Sequence, residues 1–126
     1  MLDHVTIGVT DLARSQAFYN AALASLGIAR VFAEGEAFAG YGAEGIAFFW
    51  IGQRPEVTSG AHIAFTATER AMVDRFHAAG LAAGGQDNGG PGLRPRYHAD
   101  YYGTFVLDPD GHNIEAVCHD AVAGGG

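Results

Sequence analysis

Residues 3–9 alternate, with Val5, Ile7 and Val9 on one face and His4, Thr6 and Gly8 on the other, which is the period of a half-buried strand. Thr10 or Asp11 then suits a helix N-cap, and Phe18, Ala22, Leu23 and Leu26 fall along one side of a helix stopped by Gly27. Three short β-like runs follow at 28–33, 37–41 and 46–51, separated by glycine or acidic turns. The first half therefore reads βαβββ and ends near residue 53. A polar connector, 53–60, carries Pro55 and Gly60 and has turn character.

The pattern then starts again. A shift of 58 residues lays His4 on His62, Thr10 on Thr68, Ala13 on Ala71, Phe18 on Phe76, Ala21 on Ala79 and Leu23 on Leu81 without a gap. These six identities in twenty aligned positions, in the same strand-then-helix context, indicate an internal duplication. The second half is expected to run as a strand at 61–67, a helix at 69–80, a short strand near 81–85, a long loop at 86–100 and a closing hairpin. The fold class is α+β: two tandem βαβββ modules, about 1–53 and 61–119, whose mixed sheets cup a cavity, with 120–126 as a flexible tail.

In the hairpin, alternating runs at 104–107 and 113–118 flank Asp108-Pro109-Asp110-Gly111, where Pro fixes φ and Gly supplies a positive-φ position. The turn is expected to set register only, with His112 exposed in it. On the last strand Ile114, Ala116 and Cys118 point one way and Asn113, Glu115 and Val117 the other, and His119 follows on Glu115's side. Cys118, the single cysteine, sits on the face expected to be buried and reads as packing.

Composition narrows the function. The basic residues are seven arginines, with no lysine, against 14 acids, for a net charge of −7, a balance that argues against nucleic-acid binding. Without lysine, Schiff-base chemistry is closed off. The longest apolar run, 46–51, is too short to span a bilayer, and no signal-type segment opens the chain. A cytoplasmic, soluble domain is expected.

The duplication gives the histidines their interest. His4 and His62 hold equivalent positions on strands that pseudo-twofold symmetry can turn toward one cavity, and the polar-face Glu115 completes a two-His, one-carboxylate set with open coordination positions. The chain resembles the vicinal oxygen chelate superfamily, which includes glyoxalase I, extradiol dioxygenases and bleomycin-resistance proteins. The resemblance lies in His4 opening DHVTIGVTDLARSQAFY, His62 in GAHIAF and Glu115 in DPDGHNIEAV. It implies a divalent metal (Fe, Mn, Ni or Zn) held by His4, His62 and Glu115, a small-molecule substrate with vicinal oxygens, and a homodimer.

Glyoxalase I takes a second carboxylate from the fourth strand of its first module, but 46–51 contains no acid. The fosfomycin-type transferases need a cation-rich pocket, and here only Arg94 and Arg96 lie close together in the loop. Extradiol dioxygenases add a His and a Tyr that manage substrate protons, residue types that His98, Tyr97, Tyr101 and Tyr102 offer. The expectation is a metal-dependent enzyme, dioxygenase-like or lyase/isomerase-like. Glu115, His98 and Tyr102 are its catalytic candidates, and Phe48, Trp50, Arg96, Tyr97 and Tyr101 its substrate contacts. The alternative is a metal-free sequestration protein of the bleomycin-resistance type.

Overall fold

A computed structural model describes residues 1–57 and 60–121; the expected tail falls, from residue 122 on, outside them. The first module comprises β1 (Val5–Val9), α1 (Leu12–Ala24), β2 (Ala29–Glu34), β3 (Phe38–Ala43) and β4 (Ile46–Gln53). Its strands lie in the order β1-β4-β3-β2, with β1 parallel to β4. Asp11 caps α1, its carboxylate accepting from the Arg14 amide at 3.1 Å.

The second module repeats the plan with β5 (His62–Thr66), α2 (Arg70–Ala82), β6 (Gln86–Asp87), β7 (Gly92–Leu93), β8 (Tyr102–Leu107) and β9 (Asn113–Cys118). Its order is β5-β9-β8-β6, β5 runs parallel to β9, and β7 also pairs with β8. The strand expected near 81–85 is replaced by the end of α2 and a turn at Gly84, whose φ is 103°. Gly80 does not stop the helix. It packs inside it, where an added Cβ would stand 3.3 Å from Val106 Cγ1. Two short strands form instead within the expected loop, because β8 has an edge free to pair with them.

The helices pack on each other, and each sheet turns one face onto its own helix. Val9, Phe18, Tyr19, Leu23, Phe49, Ile51, Val73, Phe76, Val106 and Ile114 form the continuous core. Phe49 meets Phe65 edge-to-face at 5.2 Å across the module boundary. The other face of each sheet is open. Cys118 is 1% exposed, a packing residue as expected. No helix among the described residues is long and apolar enough to cross a membrane.

The 108–112 turn does more than set register. Asp108 is buried; its Oδ1 accepts from the Asp110 and His112 amides, both at 2.9 Å, and its Oδ2 from the Tyr19 hydroxyl. Burial first, and the Asp108 charge second, push the Tyr19 phenol well up. His112 is only 2% exposed, contrary to the sequence expectation, and its Nε2 donates to the Gly8 carbonyl at 2.9 Å. Thr10 Oγ1 donates to Asp110 at 2.6 Å. Polar turn residues of one module thus satisfy backbone groups at the end of β1 in the other.

Candidate functional site

Alternation along β9 and β8 decides what stands on the open face of the second sheet. Phe105 is the register partner of Glu115, and Ala64 pairs with Glu115 from the other side. Ala64, Glu115 and Phe105 therefore stand side by side on one face of the sheet. Glu115 is 2% exposed although it faces away from the core. His62 Nε2 donates to its Oε1 at 2.8 Å, and the Tyr101 hydroxyl donates to its Oε2. Both oxygens of the buried carboxylate are thus satisfied, as such a group requires. The bond to Glu115 puts the proton of neutral His62 on Nε2 and leaves Nδ1 as an acceptor. The Phe105 ring lies 6.0 Å from the His62 ring and helps cover the pair.

Tyr101 reaches Glu115 because loop 94–101 closes on itself: the Arg94 amide donates to the Tyr101 carbonyl at 2.7 Å and the Tyr101 amide to the His98 carbonyl at 3.2 Å. Burial, then the hydrogen bond and charge of Glu115, push the Tyr101 phenol up. The Asp100 amide donates to His98 Nδ1 at 3.1 Å, so the proton of neutral His98 sits on Nε2 and is donated to His119 Nδ1 at 2.6 Å. Both imidazoles lie against Tyr101, with ring centroids at 5.5 and 5.3 Å. His119 stands on Glu115's side, where the alternation of β9 projects it.

His4 lies apart from this centre. It is half exposed on the open face of the first sheet, with Nδ1 2.7 Å from Asp3 Oδ1. It shares with His62 a cavity of about 590 Å³ between the modules, lined also by Val5, Phe48, Ile63 and Phe65. Among the described residues, however, no three His, Cys, Asp or Glu side chains gather as a metal site. Fit to a metal is therefore partial. Two donors at right angles on an ion with bonds of ~2.1 Å lie about 3 Å apart, which His62 and Glu115 satisfy, but His4 of the same chain does not join them.

The remaining candidates divide between the two faces. Phe48 lines the cavity, and Trp50 lines a separate hollow of about 280 Å³ on the first sheet with His4, Phe32 and Phe38. Arg96 and Tyr97 are exposed and held to each other, the guanidinium 5.1 Å over the ring. Tyr102 lies on the opposite face from Glu115, bonded to Asp74 at 2.6 Å beneath Arg70. The alternation of β8 separates Tyr102 from Tyr101, so Tyr101 rather than Tyr102 meets the carboxylate. Phe105 and the stacking of Arg94 on it were not read from the sequence; alternation back from Glu115 across the hairpin is the signal that finds Phe105.

The glyoxalase/bleomycin resistance protein/dioxygenase superfamily model matches residues 1–116. A glyoxalase/bleomycin resistance protein from Albidiferax ferrireducens T118 is 33% identical, with a TM-score of 0.82 over 95% of this chain and 99% of that one. A glyoxalase-related enzyme from Fulvimarina pelagi shares the fold at 23% identity and a TM-score of 0.73, covering 94% of this chain and 87% of its own. A glyoxalase/bleomycin resistance protein/dioxygenase family enzyme from Burkholderia phytofirmans PsJN does so at 20% identity and 0.73, covering 94% and 98%. Among curated proteins none matches the chain.

Proposed function

Because the chain belongs to the glyoxalase/bleomycin resistance protein/dioxygenase superfamily, we propose that it is a small-molecule enzyme whose chemistry is centred on His62 and Glu115. The observation that carries this is a carboxylate 2% exposed on an otherwise open sheet face, bonded to an imidazole on one oxygen and a phenol on the other. An apolar residue at such a position would stabilise the fold as well as a buried, hydrogen-bonded ion pair does, so the pair is not there for stability alone. Pre-positioned by two partners, the carboxylate is suited to catalysis.

His62 and Glu115 would hold a divalent metal, with His4 of a second copy as third ligand. Bound there, the metal supplies Lewis-acid polarisation of vicinal substrate oxygens. Tyr101 keeps Glu115 in place. Nearby, the His98–His119 pair offers a group able to take up or release a proton at the rim of the site. The exposed Phe32 and half-buried Trp50 on the first sheet give a second copy an apolar face to cover. The reaction is of the dioxygenase or lyase/isomerase kind, with no acid on β4 to act as a second base.

The test is metal content after growth and purification without chelator. Wild type should carry close to one Fe, Mn, Ni or Zn per chain, and His62→Ala and Glu115→Gln much less. Equal and negligible metal in all three sinks the enzyme reading and leaves metal-free sequestration. Mixing His4→Ala with His62→Ala chains should restore part of the metal binding if the site is shared between copies, and none if it is not.

A further inference from the structure

We propose that the gap between β1 and β5 binds an extended peptide with apolar side chains at alternate positions, taken in as one added strand. The inference does not rest on the chemistry assigned to Glu115 and needs no metal. Each sheet ends at this gap: β1 closes the order β1-β4-β3-β2 and β5 the order β5-β9-β8-β6, and among the described residues neither has a strand on its outer side. Most Cα atoms of β1 stand more than 8 Å from those of β5, against ~4.8 Å between paired strands. The two edges are therefore too far apart to pair with each other, and a cavity of about 590 Å³ lies between them.

The main chain of β5 is turned toward that cavity. The Asn113 amide donates to the Ala61 carbonyl and the Ala67 amide to the Val117 carbonyl, each at 2.8 Å. Odd-numbered residues of β5 thus direct their amides and carbonyls at β9, and those of His62, Ala64 and Thr66 point into the gap. All five residues of β5 line the cavity. Farther along β1 the Gly8 carbonyl, which also points off its sheet, accepts from His112 at 2.9 Å, so the junction is closed there and open along β5. Free edges are commonly blunted by charged residues, proline or a bulge. Residues 62–66, HIAFT, contain no acid, lysine, arginine or proline, and their register on β9 is unbroken.

The two sides of the gap differ. Leu26, Ile28, Phe49 and Phe65 line its core side, and His4 and His62 its open side. An incoming strand alternates its side chains between these sides, so it carries apolar residues at every second position and polar ones between. With Asp3 at the cavity's edge and a net charge of −7, basic residues suit the polar positions. Main-chain pairing supplies affinity in such strand addition, and the alternate side chains supply specificity.

The probe is acetyl-Val-Lys-Val-Lys-Val-amide, titrated calorimetrically at low ionic strength. Wild type should bind it at least tenfold more tightly than two controls: the same residues in the order Val-Val-Lys-Lys-Val, and the probe N-methylated at its three central residues. In amide NMR spectra the N–H signals of His62, Ala64 and Thr66 should move, and those of Ile63 and Phe65 much less. Ala64→Pro removes a donor that faces the gap, on an edge where proline is tolerated. Val5→Phe enlarges a half-buried side chain on the opposite wall. Each variant that keeps a near wild-type urea midpoint should bind the probe at least tenfold more weakly. Failure of wild type to bind, equal affinity for the controls, or unchanged affinity in both variants overturns the proposal.

Discussion

The Tyr101 hydroxyl donates to Glu115 Oε2, and the carboxylate is thereby held from the side opposite His62. A residue on a closed loop thus orients one on a central strand of the second sheet. Tyr101→Phe keeps the ring against His98 and His119 but removes the donor. Metal affinity should fall about tenfold, the lower end of what losing an outer partner of a ligand costs, with little change in the urea midpoint. Competition against a chelating dye measures this. An unchanged affinity would show that His62 alone orients the carboxylate.

His112 ties the two modules through the Gly8 carbonyl. Replacing it with alanine leaves that acceptor without its donor and opens space in the junction, for a cost of ~1–3 kcal/mol. His77→Ala, which loses a bond to the exposed Asp87, should cost less than about half as much. Urea denaturation of the two variants gives the comparison, and equal shifts would mean that the junction is not a strut.

Trp50 lies flat against the first sheet because Gly40 has no side chain: an added Cβ would stand 2.8 Å from the indole Cζ3. Gly40→Ala should lift the ring from the strand. Trp50 is the sole tryptophan, so a red-shifted emission maximum with near wild-type stability is the expected signature. An unmoved maximum would place the ring elsewhere in solution.

Alkaline pH should destabilise the fold. Tyr41 is fully buried, and burial raises its phenol to about 12 against a small opposing effect of Arg30. Tyr19 shifts the same way. With the folded value above the unfolded one near 10, the contribution is complete below pH ~10 and is lost as pH rises toward 12. The loss approaches ~3 kcal/mol for Tyr41 alone at ~1.4 kcal/mol per pH unit. Urea midpoints should fall between pH 9.5 and 11, less steeply for Tyr41→Phe. A flat profile would mean that these phenols ionise as freely folded as unfolded.

Local periodicity and the 58-residue repeat were enough to specify the first module and the first strand, helix and closing hairpin of the second, because strand alternation and helix caps are properties of neighbouring residues. They also set Glu115 opposite Ile114 and Ala116, and that orientation holds. Pairing across strands decided the rest. Register between β8 and β9 chose Tyr101 over Tyr102 as the carboxylate's partner, and the free edge of β8 drew two strands out of a polar loop. The packing of the modules buried His112 and kept His4 apart from His62 and Glu115 within one chain. Strand faces are written in the sequence two residues at a time, whereas the distance between two faces is set by how the cores beneath them pack, and only the tertiary structure carries that.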